Sequence, residues 1–246
     1  MAVEAASEAR KRAKRRARGR RQRPWLRRLG YALFILAGAV CLSIVAFRFV
    51  NPPITAVMLQ DKLLQGATLK RQWVPLEKIS PNLRLAVVAS EDGNFCSHWG
   101  VDWGAVREAI ENAKSWKGVR GASTISMQVA RNLYLWEQRN YLRKALEVPL
   151  AYVMTAVWPR DRMLEVYLNI AQWGPGLFGA EAASRHYFGK SAARLSKREA
   201  VLLAVALPNP LGRDPARPDR RMRLIADAVE RRMPYIAKRS DCVLEP

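Results

Sequence analysis

From Leu29 to Phe47 the chain runs nineteen residues, LGYALFILAGAVCLSIVAF, without a charge. Crossing a hydrocarbon core about 30 Å thick takes roughly 20 helical residues, so this segment reads as a membrane-spanning helix. A cleaved signal peptide would carry a shorter apolar region and a small-x-small site, which Phe47, Arg48, Phe49 and Val50 do not offer. The span is therefore expected to be an uncleaved anchor. Residues 1–28 hold twelve Lys and Arg against two acids, Glu4 and Glu8. That basic flank predicts a cytoplasmic N-terminus, with the rest of the chain on the outer side. Beside a span the tail reads as a topology signal that also touches anionic membrane lipids, and no nucleic-acid partner is expected.

The tail also explains much of the net charge. Of the +21 formal charge, 12 − 2 = +10 lies in residues 1–28 and +11 is spread over the remainder. At roughly 150 residues per domain, 246 residues allow one good-sized domain plus appendages. Half of the residues are hydrophobic, enough for a buried core. Cys41, Cys96 and Cys242 are too few and too scattered for a disulfide framework or a CxxC metal site, and only His98 and His186 could supplement them, so structural zinc is not expected. Cys96 and Cys242 could pair in an oxidising compartment; the sequence leaves their separation in space open.

The organisation expected is a basic tail over 1–28, a transmembrane helix over 29–50, a linker or extended entry segment over 51–80 that starts at Asn51-Pro52-Pro53, and a folded domain over 81–240. Within that domain the class is mainly α. Asp102 is a plausible N-cap for a helix to about Trp116, which Lys117-Gly118-Val119-Arg120-Gly121 breaks. Ser123-Thr124 opens a second helix through about Tyr134. A third apolar stretch runs from Tyr141 to Val157, with Pro149 expected to kink it or mark its restart. Another helix follows Pro159. Ser196-Lys197-Arg198-Glu199 has the spacing of a capping box ahead of AVLLAVAL, and a last amphipathic helix starts near Asp219. Leu83–Ser90 is the only strand candidate.

Glu91 and Asp92 close the apolar run LRLAVVAS and precede Gly93-Asn94. Two readings stand for this segment alone: a solvated element terminus, or a carboxylate desolvated enough to raise its pKa and suit it to proton transfer. His98 can be structural or catalytic, and Phe95 and Trp99 look like packing. Further on, Thr124, Gln128, Arg131 and Asn132 fall on one helical face. Arg139, Arg143 and Lys144 follow, the residue types that clamp a diphosphate, although Arg143 and Glu147 also have the spacing of an i,i+4 ion pair.

Taken in order, these segments resemble the peptidoglycan glycosyltransferases of the penicillin-binding-protein type. EDGNFCSHWG carries the first motif, ED-x-x-F-x-x-H-x-G, in Glu91, Asp92, Phe95, His98 and Gly100. GASTISMQVARN is similar to the second, G-x-ST-I-x-QQ-x-x-KN, with Met127 for the first Gln and Arg131 for the Lys. RKALE, Arg143 to Glu147, matches R-K-x-x-E. RDRMLEVYLN, with Arg160, Glu165, Tyr167 and Asn169, is similar to the fourth, Arg160 replacing its Lys. Gly174 through Gly179, Tyr187-Phe188-Gly189-Lys190, Glu199-Ala200 and Pro208-Asn209-Pro210 resemble the fifth.

The resemblance implies a lysozyme-like, two-lobed, mainly helical domain after a single anchor, of the monofunctional type, outside the bacterial inner membrane. It implies polymerisation of lipid II into β-1,4-linked glycan strands, with undecaprenyl diphosphate leaving. Glu91 would be the general base and Glu147 a second essential carboxylate. Asp92, Phe95, His98, Ser123, Thr124, Gln128, Arg131, Asn132, Arg139, Arg143 and Lys144 would contact substrate, and Arg160, Glu165, Tyr167 and Asn169 would serve structure. No cofactor is required; a divalent cation, Mg or Mn, would be compatible with Glu147. Expected partners are lipid II, the growing glycan strand, membrane lipids, penicillin-binding transpeptidases and other cell-wall synthesis proteins. Trp99, Trp103 and Trp116 would either dip into the membrane interface or lie in the core. The competing readings are a lysozyme-like lytic enzyme, which needs no Arg cluster, and a non-catalytic scaffold. The Ser-x-x-Lys and Lys-Thr-Gly signatures of acyl transfer are missing.

Overall fold

The computed structural model of the chain describes residues 24–112, 123–138 and 140–244. The basic tail up to Arg23, Trp116, the 117–121 break and Arg139 lie outside the described residues. Two compact units are present, residues 1–46 and 47–246.

In the first unit, α1 (Pro24–Phe47) begins five residues before the expected span and is the one described helix long and apolar enough to cross a membrane. Leu33, Phe34, Ile35 and Leu36 are all exposed on consecutive positions, so apolar side chains point in every direction around the axis. A helix of that kind needs an apolar phase around it and is consistent with a membrane anchor.

The second unit is mainly α, as expected. The stretch read as a linker is part of its body: Thr55 caps α2 (Ala56–Leu64), β1 (Lys70–Arg71) follows, and Val74, Leu76 and Ile79 are buried. What the sequence hides is a partner 95 residues away, since Asn169 donates to Val74 O and accepts from Val74 N, both at 2.9 Å. Arg71 likewise donates to Pro52 O and Pro53 O. β1 pairs in parallel with β3 (Leu177–Phe178), which pairs antiparallel with β2 (Gln172–Gly174).

The strand candidate Leu83–Ser90 is instead helical, α3 (Pro81–Glu91). Ser80 accepts from Asn82 N and Pro81 occupies the first turn, where its missing N–H costs nothing. Periodicity was no guide because Leu83, Ala86, Val87, Val88 and Ala89 are all buried, leaving no polar face to alternate. Its main neighbour is α9 (Lys197–Ala206), equally enclosed from Ala200 to Ala206 and opened by the expected capping box of Ser196 and Glu199. Against both lies α10 (Arg220–Ala237), capped by Asp219 and continuing through Pro234, and α11 (Asp241–Leu244) closes the chain on α3.

A second apolar cluster joins α4 (Trp103–Glu111), α5 (Ile125–Tyr134) and α6 (Tyr141–Val157). Val101, Met127 and Ala151 are its buried members, with Val106 and Val148 against them. Asp102, Thr124 and Asn140 cap these three helices through their side chains. α6 runs unbroken through Pro149, so the expected restart does not occur. α5 also packs on α7 (Arg160–Ile170) and α2, linking this cluster to the main core, and α8 (Ala180–Phe188) follows β3. Cys96 and Cys242, 146 residues apart, form a disulfide with their Cα atoms 6.1 Å apart. It ties the loop after α3 to α11.

Candidate active site

Glu91 is the last residue of α3, which places its carboxylate where the helix opens onto the surface. Two hydrogen bonds reach it and a third braces one of its donors. Gln128 Nε2 donates to Oε2 at 2.9 Å, Ser90 Oγ donates to Oε1 at 3.3 Å, and the buried Tyr167 hydroxyl, at 3.0 Å, donates to Gln128 Oε1. Tyr167 thus sets which end of the Gln128 amide faces the glutamate. Burial pushes the Glu91 carboxyl above the usual carboxylate range; its hydrogen bonds and the charges of Arg131 and Arg213 oppose this without cancelling it. Tyr167 is raised well above 10 by burial and then by the neighbouring Glu91 charge, so it stays a proton donor to Gln128.

Asp92 faces the other way. Its carboxylate accepts from Ile125 N, the first residue of α5, at 2.9 Å, and pairs with His98 Nε2 at 2.8 Å. An anion at a helix N-terminus is favourably placed. The same loop is held by Thr124 Oγ1, which donates to Gly100 O at 2.5 Å, and by Arg160, which donates to His98 O and lies over the Phe95 ring. Gly100 has φ +83°, and a Cβ there would sit 2.8 Å from Ala151 O on α6. Only glycine fits that approach.

These contacts divide the residues expected to touch substrate. Phe95 is fully buried and packs beneath the loop, so it is corrected from a contact residue to a core residue. Asp92 spends its carboxylate on His98 Nε2 and on Ile125 N at the start of α5, while His98 Nδ1 is buried without a hydrogen-bond partner among the described residues. Ser123 accepts from Lys144 Nζ at 2.9 Å, while Thr124 is buried as a cap. Lys144 also reaches Glu147 Oε2 at 2.9 Å, and Arg143 Nη1 reaches Glu147 Oε1 at 2.6 Å. Glu147 is 3% exposed with each oxygen engaged by a cation. The i,i+4 pair is real, but it is buried rather than on the surface. Glu147 does not fit as a metal ligand, because Arg143 and Lys144 already neutralise it, and among the described residues no three His, Cys, Asp or Glu side chains could hold an ion.

One cavity is lined by Glu91 itself and a second by its hydrogen-bond partner Gln128. The larger, about 620 Å³, is lined by Glu91, Asp92, Asn94, Asp102, Ser123 and Thr124, with α10 on its far side. The smaller, about 190 Å³, is lined by Arg131, Asn132, Glu137, Gln128 and Tyr167. Arg131 Nε donates to Asn132 Oδ1 at 3.2 Å, and both belong to the second motif. Met127 points away into the second apolar cluster, so the change from Gln at that position removes nothing from either cavity.

The fourth motif acts at a distance. Glu165 accepts from Leu76 N and from Arg162 Nη1, and Arg162 also donates to Phe47 O, Val50 O and Asn51. With Asn169 on Val74, these residues bind segment 47–76 to α7. Sequence reading missed Ser90, although it adjoins Glu91, and it missed Arg213 and the placement of α10 at the site, which only the fold brings there. Trp99 and Trp103 are exposed at 67% and 57%, which decides against a core role; Trp103 donates to Tyr152 OH at 2.7 Å.

Residues 59–240 match the family described as Transglycosylase. The chain is 47% identical over 224 residues to a protein of Rhodospirillum centenum, covering 90% of this chain and 96% of that one. It is 47% identical to one of Agrobacterium fabrum, covering 87% and 93%, and 48% identical to one of Brucella melitensis, covering 86% and 98%. All three carry the name biosynthetic peptidoglycan transglycosylase.

Proposed function

The chain belongs to the transglycosylase family and is a peptidoglycan glycosyltransferase of cell-wall synthesis, and from that premise we propose how its residues carry the reaction. Lipid II is polymerised into β-1,4-linked strands. Glu91 takes the proton from the acceptor's 4-hydroxyl as that oxygen attacks the donor's anomeric carbon, and the C–O bond to the diphosphate breaks. Inversion requires base and leaving group on opposite faces of the sugar; Glu91 lines the larger cavity and Arg131 the smaller, so base and leaving-group charge are assigned to separate cavities in this reading. The observation that carries this reading is the Glu91 carboxylate, raised by burial yet held by Gln128 at 2.9 Å.

Arg131 in the smaller cavity stabilises the charge that builds up on the departing diphosphate. Arg139 assists it in this reading, on the strength of its motif alone. Glu147 is a positioning residue that holds Arg143 and Lys144 in place, and Lys144 in turn holds Ser123 at the cavity edge. No step of this reading is routed through a metal. The N-terminus is cytoplasmic and the body faces the periplasm, anchored in the inner membrane by α1, with Trp99 and Trp103 at the lipid interface where a C55 tail must be met. The strands produced are substrates for penicillin-binding transpeptidases. Incubation of the purified protein with labelled lipid II tests the reaction: polymer that lysozyme digests is expected, and its absence from preparations shown to be folded would refute it.

A further inference from the structure

The far wall of the larger cavity has no role in the reaction above. It is the end of α10, which presents Arg232 and Tyr235, and the turn after it, which presents Arg239. All three are exposed. Ile236, on the same turn, is buried with its Cδ1 3.4 Å from where a Cβ on Gly93 would stand, so this face is packed directly against the loop that follows Glu91. Arg239 Nη1 donates to Tyr235 OH at 2.6 Å and its guanidinium lies 5.3 Å from the ring centre, which holds the arginine toward the cavity side of the helix. Beyond Arg239 the Cys96–Cys242 disulfide ties the following turn to the Glu91 loop, so the wall is fixed at both ends.

The opposite wall has the reverse charge. Asp102 and Glu108 line it, and although burial acts against ionisation at Asp102, hydrogen bonds from Ala105 N and Asn94 and the nearby His98 hold it below the usual carboxylate range. An anionic group entering this cavity is repelled from the α4 side, and among the described residues the only arginines lining it are Arg232 and Arg239. Sugar hydroxyls need no such pair. A lipid-linked disaccharide-peptide brings carboxylates on its peptide arm, and the guanidinium fork is matched to carboxylate geometry.

Resting on the proposed reaction, we infer that Arg232 and Arg239 bind the carboxylates of the substrate's peptide arm and so select for peptide-bearing lipid II. They are specificity residues, remote from the reacting atoms.

The experiment compares lipid II carrying its peptide, lipid II with the peptide carboxylates amidated, and lipid II without the peptide, in wild type, Arg232→Ala/Arg239→Ala and Arg232→Lys/Arg239→Lys. At two partly exposed ion pairs, selectivity (kcat/KM for the peptide-bearing over the amidated form) should fall roughly 3–10-fold in the alanine variant, through KM rather than kcat. The lysine variant should keep most of it. Titration of fluorescent forms of the same three lipids measures the same preference without turnover. A wild type that binds amidated and free-carboxylate forms equally, or an alanine variant with unchanged selectivity, overturns the inference even if polymerisation is normal. Equal weakening toward all three lipids also overturns it, pointing to a general electrostatic or membrane effect. If wild type prefers the free carboxylates but polymerises none of the lipids, the proposed reaction fails and the binding role stands.

Discussion

Gln128 donates to Glu91 through its amide nitrogen at 2.9 Å while its carbonyl accepts from Tyr167 at 3.0 Å, so one side chain on α5 joins a carboxylate on α3 to a phenol on α7. Three helices therefore agree on one orientation of the base. The hydrogen bond from Gln128 favours the ionised glutamate and burial favours the neutral one, and burial is the larger effect. Gln128→Leu and Tyr167→Phe should both move the acid limb of the kcat/KM profile to higher pH, because each removes or loosens a donor that stabilises the anion. A loss of roughly tenfold in rate at neutral pH is expected if one net hydrogen bond of about 1 kcal/mol is lost together with some orientation. An acid limb that stays in place or moves down would show that Gln128 does not tune the base.

Glu91→Gln separates activity from stability. Polymerisation should fall to background at every pH, since an amide accepts no proton in any usable range. Stability should go the other way. A carboxyl whose pKa is raised on folding contributes stability below its unfolded pKa and loses it as pH rises through the folded value. The variant should therefore gain Tm relative to wild type as pH increases across that window, measured by thermal melts at a series of pH values. Near wild-type polymerisation by folded Glu91→Gln protein would remove Glu91 from the mechanism.

Arg131 lies in the smaller cavity, with its guanidinium steadied by Asn132. Arg131→Ala should slow turnover by roughly 10²–10³-fold, as loss of one preorganised donor does. Arg131→Lys should retain most of the rate, because the charge is what the leaving group needs. Equal damage by both variants in steady-state assays would exclude the charge role.

Glu147 is buried between Arg143 and Lys144, so Glu147→Gln removes the carboxylate charge that both cations engage. A loss of about 3–5 kcal/mol is expected from breaking a buried pair at one partner, read as a lower denaturation midpoint. Activity should fall with it. Arg143→Met/Glu147→Leu should recover much of the stability without restoring activity, which denaturation and lipid II assays on the same preparations would resolve. Recovery of both would mean that the pair serves stability alone.

The Cys96–Cys242 disulfide closes a loop of 146 residues, for which chain entropy allows up to about 5 kcal/mol. Cys242→Ser should lower Tm. Because the bond ties α11 to the Glu91 loop, protease cleavage near the C-terminus should accelerate in the same variant, and unchanged melting and cleavage would show that α11 is held by packing alone.

Much of this protein was decided locally. The nineteen uncharged residues of the span, the caps at Asp102, Thr124, Ser196 and Asp219, and the break after α9 are all short-range chemistry, and each lies where the sequence places it. The motif residues were legible for the same reason, being side chains of unusual type at fixed short spacings. Tertiary structure decided the rest. Leu83–Ser90 is a helix because it is enclosed on all sides, which erases the polar face that periodicity reads. Residues 51–80 belong to the body because Asn169 and Arg162 reach them from about a hundred residues away. Hydrogen-bond partners separate the two acids of the first motif, which line the same cavity: Glu91 is held by Gln128, and Asp92 is committed to His98 and the start of α5. Burial turns Arg143–Glu147 from a surface pair into an enclosed clamp. Sequence sets which groups are available and how each helix starts and stops; desolvation and distant hydrogen-bond partners, which exist only once the chain has closed on itself, set what each group can do.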